Sequence, residues 1–389
     1  MVTWRTMRWM ETTEYLGDED LIDRLLQHIE QGTTDLVDDV WREPAESYRS
    51  VARFDAELEL LRRAPAPFCP SAFVAEPGTF VARTVAGIPL VAVRGRDHRM
   101  RVFMNTCRHR GTQIVEGSGC APSLTCPFHG WTYALDGRLR HIPHEAGFPG
   151  IDRGASGLVE VPAYECHGLV VVDRVGPADG GAPPIEHRRV PALLDAPGCR
   201  ALGHTQTVVA ANWKILVEGF LEGYHIKATH RETFFPYGYD NINVVEYAGP
   251  DTRITFPFRR IERLREVPGP RRIAGAVTRV YLMFPNVVIA ELSSHTTMVV
   301  LEPLTVSTTL FNTYQLAAER SSEDGVDRPD ATARDLDFVA RGLREDRDMA
   351  LRVQRGLGSG ANSEVVFGRF EGALAHFHRH LHAAIDAPS

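Results

Sequence analysis

Several features that would assign this sequence to a class of protein are scarce. It carries only 6 cysteines in 389 residues, which are too few for a disulfide framework in a chain of this length and indicate a reducing compartment. Positive charge is not in excess, because 43 lysines and arginines face 50 acidic residues and give a net charge of −7. We therefore expect a cytoplasmic protein that does not bind nucleic acid.

The sequence also lacks a long uninterrupted apolar run. Its most apolar region, residues 280–301, is broken by Pro285, Glu291 and His295, and therefore predicts buried strands and no membrane span. No basic segment followed by an apolar run stands at the N-terminus, so a signal peptide is not predicted.

Composition and hydrophobic periodicity along the chain predict three segments. Residues 1–65 are expected to be a helical lead-in, since apolar residues from Leu21 to Ile29 share one helical face that ends at Gly32. Residues 66–176 contain short strands and an Asp136-Gly137 hairpin signal, which predict a small all-β domain. Residues 177–389 predict an α+β domain, with a helix from about 213 to 224, strands from about 243 to 317 and two long helices after 331.

The stretch "MNTCRHRGTQIVEGSGCAPSLTCPFHGWTY" contains two Cys-His pairs. Cys107 stands two residues before His109, and Cys126 three residues before His129. Such a set could hold a structural Zn²⁺ ion, which suits tetrahedral Cys2His2 sites. It could equally hold a Rieske [2Fe–2S] cluster, in which two thiolates bind one iron and two imidazoles bind the other. The Cys-then-His order within each pair favours the cluster, because each loop then supplies one ligand to each iron.

"CRHRG" and "CPFHGW" resemble the two signatures of the Rieske domain in the Rieske non-haem iron oxygenases. The resemblance implies that Cys107 and Cys126 bind one iron of the cluster, and His109 and His129 the other. Because such a cluster moves one electron at a time, an enzyme also needs a second centre.

The stretch "NWKILVEGFLEGYHIKATH" is a candidate for that centre. Glu218, Glu222 and His225 are spaced by four and three residues, which predicts one face of a helix. His230 would lie about 140° round an ideal helix from His225, so the helix must end or loosen for both imidazoles to converge. Gly223 makes such loosening plausible.

A carboxylate would complete a 2-His-1-carboxylate iron site. In "DFVARGLREDRDMALRVQRGL", Asp346 falls on the apolar stripe of a predicted helix, whereas Glu345 and Asp348 fall off it. A lone carboxylate on a core-facing stripe is costly unless it is paired or bound to a metal. The other residues of this stripe are apolar: Val339, Leu343, Ala350, Val353 and Leu357. Taken singly, the two histidines could be ordinary interior residues and Asp346 could pair with an arginine.

The resemblance extends from "LIDRLL" through "NWK", "GYHIKATH" and "YLMFPN" to "EDRDMALRVQRGL", and matches the helix-grip catalytic domain of Rieske oxygenase α subunits. It implies that His225, His230 and Asp346 bind a mononuclear Fe(II), with O₂ as co-substrate. It further implies electrons from a reductase or ferredoxin, with NAD(P)H acting only through a separate reductase, and a ring of three subunits. In that ring Glu222 would bridge His225 to His129 of a neighbour.

Glu222 is a departure from most ring-hydroxylating members, which have aspartate at this position; glutamate resembles the subgroup acting on quaternary amines such as choline, carnitine and betaines. We expect a terminal oxygenase that hydroxylates, dihydroxylates or dealkylates a small, largely apolar or aromatic substrate, as in aromatic hydrocarbon catabolism. A quaternary-amine monooxygenase is the alternative, and a zinc-binding or electron-transfer module a distant one. Six phenylalanines are candidates for an apolar pocket: Phe220, Phe234, Phe235, Phe256, Phe258 and Phe284.

Two further metal-like features are expected to be incidental. In "HFHRHLH", His378 and His382 are one helical turn apart and could chelate a metal, but the apolar stripe predicts a docking helix with these histidines facing solvent. Cys120 is expected to be a spare thiol.

Overall fold

In the computed structural model the described residues are 15–174, 188, 190–292, 295–317 and 329–387, excluding the side chains of 193 and 329–334. They form an α+β protein, as predicted. The helices are α1 (Asp18–Gln31), α2 (Val51–Arg63), α3 (Trp213–Glu218), α4 (Ile226–Thr229), α5 (Pro329–Gly358) and α6 (Gly372–Asp386). None of them is long and apolar enough to cross a membrane.

Twenty strands are assigned within the described residues. They are β1 (Trp41–Pro44), β2 (Ala66–Pro70), β3 (Thr79–Val85), β4 (Ile88–Arg94), β5 (Met100–Met104), β6 (Ser118–Cys120), β7 (Leu124–Thr125), β8 (Thr132–Tyr133), β9 (Leu139–His141), β10 (Glu160–Val161), β11 (Ala163–Cys166), β12 (Leu169–Val172), β13 (Arg200–Val209), β14 (Val244–Ala248), β15 (Asp251–Pro257), β16 (Val277–Met283), β17 (Val287–Glu291), β18 (Thr296–Thr305), β19 (Thr308–Ala317) and β20 (Glu364–Phe367).

The lead-in helix α1 forms as predicted. Its apolar face is buried against Val244, Ile261 and Ile273, which belong to the C-terminal half of the chain. Gly32 ends the helix in the left-handed conformation with φ 62°, which glycine adopts without strain. Helix α2 begins at Ser50, whose hydroxyl accepts the Arg53 N–H at 3.2 Å.

The N-terminal β domain consists of three antiparallel sheets. Their strand orders are β10-β5-β4-β3-β6, β11-β12-β2 and β7-β8-β9. The Asp136-Gly137 turn joins β8 to β9 as predicted, with Gly137 at φ 85°. The apolar region that we predicted to be strands corresponds to β16, β17 and β18.

The C-terminal domain is built on a seven-stranded antiparallel sheet of order β13-β19-β18-β17-β16-β15-β14. Helices α3, α5 and α6 share one buried core with this sheet, in which Trp213 and Phe377 pack near Val280 and Val299. The core places the start of α3 and the middle of α5 above the same face of the sheet. That arrangement brings stretches more than one hundred residues apart into one site.

The two domains also share a core. Phe68 and Val81 of the β domain pack in one cluster with Met283 and Ile289 of the large sheet. Buried Arg83 lies 3.9 Å from Glu302 across this contact. The division at residues 65 and 176 stays a prediction.

One predicted element is wrong. We expected a helix from 213 to 224, but α3 ends at Glu218, and the chain passes through turns before the short helix α4 begins at Ile226. Glu222 and His225 therefore do not share a helical face with Glu218. On α5, the predicted stripe is largely buried, but Val353 is 45% exposed and does not belong to it.

Candidate metal centres

Cys107 and Cys126 lie in two turns of the β domain that have the same backbone hydrogen bonds. The carbonyl of Cys107 accepts the Gly111 N–H at 2.9 Å, and that of Cys126 accepts the Gly130 N–H at 3.0 Å. Both glycines have positive φ, 80° and 74°, which explains why each signature has a glycine four residues after its cysteine. The two turns share this backbone pattern, although His109 stands two residues after its cysteine and His129 stands three residues after its own.

The side chains of these turns are held by packing. The His109 ring stacks on Trp131 at 5.0 Å and lies 4.7 Å from the His129 ring. Both thiols are buried, and the Tyr133 hydroxyl lies 3.3 Å from Cys107 Sγ. The structure thus places the two predicted histidine ligands side by side and the two predicted cysteine ligands in one buried cluster.

The donor set of these turns fits a [2Fe–2S] cluster. His129 Nδ1 is buried and has no hydrogen-bond partner among the described residues, as expected of a nitrogen reserved for a metal. Sequence reasoning missed Tyr133, although a hydroxyl near a cluster thiolate is a common means of tuning such a centre.

The second predicted centre lies beside α4. His225 precedes α4 and His230 follows it, so one helical turn separates them, and the Thr229 N–H donates to the His225 carbonyl at 2.8 Å. The helix ends before His230, as we expected, because α4 ends at Thr229 and His230 follows it with a non-helical ψ of 36°. The turns at 219–225, which include Gly223, precede α4. The two imidazole rings converge, with centroids 5.0 Å apart.

Asp346 from α5 completes this group. His230 Nε2 lies 2.9 Å from Asp346 Oδ1, and His225 Nε2 lies 3.5 Å from the same oxygen. The two Nε2 atoms are 3.2 Å apart. Three donor atoms this close face one point, which is the geometry of a 2-His-1-carboxylate site with open positions. Asp348, by contrast, is exposed, as predicted.

The electrostatics of the group also fit a cation. Burial alone would lower the pKa of His225, but the carboxylates of Asp346 and Glu222 raise it to about 10. Burial would raise the pKa of Asp346, whereas hydrogen bonds to His225 and His230 hold it below its ordinary value. The cluster therefore favours bound positive charge, which a divalent metal ion would supply.

Each imidazole has a carboxylate on its other nitrogen. Glu222 hydrogen-bonds His225 Nδ1 and accepts the His225 backbone N–H at 3.0 Å. Glu345 Oε2 lies 2.8 Å from His230 Nδ1, and the Thr233 hydroxyl donates to the same oxygen at 2.6 Å. Such partners direct Nε2 toward a metal and fix the ring orientation. Sequence reasoning placed Glu345 off the stripe and missed this role.

A cavity of about 130 Å³ opens beside the triad. Phe220, Phe234, Phe256 and Phe258 line it, together with aliphatic side chains of the sheet, whereas Phe235 and Phe284 do not. The carboxylate and imidazole side chains in this lining are those of Glu222, His225, His230 and Asp346. No lysine or arginine of the described residues contributes to it. The pocket is therefore mainly apolar, with Asn241, Thr278 and Thr297 as polar side chains away from the triad.

The prediction that His378 and His382 face solvent is wrong. His378 is fully buried, with Nε2 2.9 Å from Glu218 Oε1, and His382 Nε2 lies 3.0 Å from buried Glu43. Arg53 lies 3.1 Å from His382 Nδ1, so this nitrogen accepts and Nε2 carries the proton toward Glu43. The group is a hydrogen-bonded network that ties α6 to the N-terminal segment. The apolar stripe of α6 is buried as predicted.

Cys120 is exposed at the end of β6.

Comparison with known proteins agrees with both centres. The family model "Rieske [2Fe-2S] domain" matches residues 64–164, and "Ring hydroxylating alpha subunit (catalytic domain)" matches 194–387. The carnitine monooxygenase oxygenase subunit of Escherichia coli K12 is 30% identical over 197 residues, which are 49% of this chain and 53% of the relative. The large oxygenase component of the 2,4-dinitrotoluene dioxygenase system of Burkholderia sp. RASC is 33% identical over 170 residues, 40% of this chain and 37% of the relative. The matched segments thus span about half of these relatives, or less.

Among solved structures, the quaternary ammonium Rieske monooxygenase CntA in complex with L-carnitine matches with a TM-score of 0.72 and 21% identity. The match covers 96% of this chain and 100% of that one, so the two share the whole fold, including the helix-grip catalytic domain. The two family models together cover most of the sequence and fall on the stretches that hold the two metal centres. The chain therefore belongs to the Rieske non-haem iron oxygenases, as a member of the α-subunit type.

Proposed function

We propose that this chain is a terminal oxygenase that uses O₂ and externally supplied electrons to hydroxylate a small quaternary amine. The observation that carries the proposal is the convergence of His225, His230 and Asp346 at one end of an apolar pocket. The reaction balances as substrate C–H, O₂, two electrons and two protons giving C–OH and water.

The residues assigned to the two centres are those predicted from the sequence. Cys107, His109, Cys126 and His129 would hold the [2Fe–2S] cluster, and His225, His230 and Asp346 would hold a mononuclear iron. When bound, these groups supply one-electron transfer and the activation of O₂, respectively. Electrons would come from a separate reductase or ferredoxin.

The other residues of the site position the metal ligands and shield the reacting atoms from water. Glu222 and Glu345 fix the two imidazoles through their Nδ1 atoms. Phe234 lies over the His230 ring with centroids 4.6 Å apart and covers one side of the triad. The apolar walls exclude water from the reacting end of the substrate and hold its C–H bond near the open metal positions.

Aromatic rings make the pocket suitable for a quaternary ammonium group. Four phenylalanines and Tyr239 line it, and ring faces attract such cations without a carboxylate. Similarity to the carnitine monooxygenase subunit and to CntA supports this substrate class. A second candidate, an uncharged aromatic substrate, is favoured by the apolar lining and by the dinitrotoluene dioxygenase relative.

Electron transfer is proposed to cross between subunits of a head-to-tail trimer, since a closed heterologous ring gives each active site a neighbour's cluster. Glu222 would then link His225 of its own chain to His129 of the neighbouring subunit. The Glu222 side chain is 11% exposed, and Tyr224, two residues further along the chain, is 59% exposed, which supports a contact surface beside it.

The test combines metal content with turnover. We expect about three irons and two sulfides per chain, an EPR signal of a reduced Rieske cluster, and O₂ consumption coupled to loss of L-carnitine when a reductase is supplied. Two irons with no turnover would support an electron-transfer protein, and zinc in colourless protein would support a zinc module. Turnover of an aromatic substrate alone would favour the second candidate.

A further inference from the structure

A second cavity, of about 920 Å³, lies next to the pocket of the metal triad. The two cavities share part of their lining. The shared residues are Phe234, Phe258, Thr278, Leu292 and Val339. A substrate that reaches the triad from this side therefore passes through the outer cavity, which we name the vestibule.

Charge changes sharply between the two cavities. No arginine or lysine of the described residues lines the inner pocket, whereas Arg259, Arg260, Arg263 and Arg341 line the vestibule. Asp335 and Asp337 are the acidic residues of this lining, and Asp337 pairs with Arg341 at 3.3 Å. Within the described part of the chain, neither Arg259 nor Arg263 forms an ion pair with a carboxylate. The positive charges of Arg259 and Arg263 thus have no carboxylate partner within the described residues.

Contacts with aromatic rings hold these arginines at the boundary of the pocket. The Arg259 guanidinium lies 5.2 Å from the ring centroid of Tyr239, and that of Arg260 lies 4.7 Å from Phe258. Both rings line the inner pocket. Phe234, which lines both cavities, lies between His230 and Phe338, with centroids 4.6 Å and 5.3 Å away. Arg341 lies 5.8 Å from Phe338, so a continuous row of rings leads from a triad histidine to a mouth cation.

We propose that Arg259 and Arg263, supported by Arg260 and Arg341, bind a carboxylate at the outer end of the substrate while its apolar or methylated end lies at the triad. The chemistry favours this polarity, because a carboxylate inside the inner pocket would have no cationic partner except the metal, and its desolvation would be costly. Guanidinium groups at the vestibule offer paired N–H donors that match a carboxylate. This inference rests on the proposed function and narrows its substrates to organic acids whose opposite end is methylated or apolar.

The test compares acids with their uncharged esters. L-Carnitine and its methyl ester form one pair, and 4-isopropylbenzoate and its methyl ester form a second pair with an aromatic body. Hydrogen bonds to charged groups are stronger than those between neutral groups, so kcat/KM of the wild type should favour the acid by about tenfold or more in at least one pair. In Arg259→Gln and Arg263→Gln this acid-to-ester ratio should move toward one, mainly through KM.

Arg265→Gln is the matched control. Arg265 stands on the same short helix, Arg259–Glu266, but donates to the Leu26 carbonyl at 3.1 Å and does not line the vestibule. It should keep the wild-type ratio. An equal loss in Arg265→Gln and Arg263→Gln would show a general charge effect and overturn the proposal, as would equal kcat/KM for acid and ester in the wild type.

Binding separates this inference from the proposed function. If no probe is turned over, calorimetry on the iron-loaded protein without O₂ still compares the acid with its ester. Tighter binding of the acid, lost in Arg263→Gln, would support the vestibule site even though the oxygenase proposal had failed. Equal binding of acid and ester would reject the vestibule site.

Discussion

Glu345 Oε2 lies 2.8 Å from His230 Nδ1, while the next residue, Asp346, approaches Nε2 of the same ring at 2.9 Å. Two consecutive carboxylates on α5 therefore hold both nitrogens of one imidazole. Because the ring is 1% exposed, its two nitrogens depend on these protein partners. In our assignment Asp346 binds the metal, and Glu345 orients the His230 ring.

Removing the carboxylate of Glu345 should weaken the mononuclear site without removing a ligand. In Glu345→Ala, His230 loses the acceptor that fixes its orientation, and iron affinity should fall by about 10–100-fold, while the cluster absorption stays. Thr233→Val, which removes only the hydroxyl that donates to Glu345, should have a smaller effect. Iron retention during dialysis against a chelator measures both. Unchanged retention in Glu345→Ala would show that the contact does not orient the ligand.

Asp346 and Asp348 provide a matched pair on α5. Asp346→Ala should abolish turnover and keep the cluster spectrum, because it removes the carboxylate shared by both histidines. Asp348→Ala should do neither, since this side chain is exposed. Measurements of turnover and of the absorption spectra of the two variants show which aspartate is needed at the metal site. Equal damage from both changes would remove the basis for choosing Asp346 as a ligand.

The two metal centres should assemble independently. Replacing His109 or His129 by Ala should abolish the cluster absorption, because each would leave an iron with one imidazole. The mononuclear site should still bind iron, since its residues flank the two ends of α4 or lie on α5, in the C-terminal part of the chain. Metal analysis with EPR of an added nitric oxide probe reports on that site. Loss of both signals in folded protein would contradict this expectation.

The ligands could be predicted from sequence because their chemistry imposes residue types at fixed spacing. Cys-x-His and Cys-x-x-His each fit within one tight turn, and His225 and His230 are separated by one helical turn. Asp346 was found by a different argument, since a carboxylate on an apolar stripe requires a partner. These inferences depend on local geometry, which the sequence encodes directly.

The errors concern contacts between distant parts of the chain. The early end of α3 could not be read from periodicity, because positions 218, 222 and 225 fit a helix equally well. The burial of His378 depends on Glu218 and Glu43, which are 160 and 335 residues away in sequence. Glu345 was missed because its position off the apolar stripe of the helix does not show which residue its long side chain can reach. The trimer and the domain boundaries stay predictions.

Buried His376 should make the fold sensitive to acid. Burial, followed by the nearby His380, lowers the pKa of His376 to about 3, and its Nε2 lies 2.8 Å from the Gly249 carbonyl, to which it donates as a neutral ring. The unfolded chain takes up a proton near pH 6.5, whereas the folded chain does not. The contribution of His376 to the free energy of unfolding is therefore complete above pH 6.5. It decreases as the pH falls toward 3, and is lower by about 2 kcal/mol at pH 5.

His376→Gln can keep a donor for Gly249 and does not titrate. Its free energy of unfolding, measured in urea, should fall by about 2 kcal/mol less than that of the wild type between pH 7 and pH 5. His141→Gln, at an exposed position on β9, should follow the wild type. If His376→Gln loses as much stability as the wild type over this range, the acid sensitivity comes from other groups.

Glu222 is the residue on which communication between the two centres should depend. It holds His225 Nδ1 and its backbone N–H within its own chain, and in the proposed trimer it also contacts His129 of the neighbouring subunit. Glu222→Gln keeps a similar shape but loses the charge that stabilises a donated imidazole proton on either side. Both metal centres and the oligomer should therefore persist, whereas oxidation of the reduced cluster in single-turnover mixing with substrate and O₂ should become slower. Glu232→Gln, an exposed glutamate two residues after His230, is the control and should react at the wild-type rate. A wild-type rate in Glu222→Gln, or full turnover by a monomer, would mean that electrons do not pass through this carboxylate between subunits.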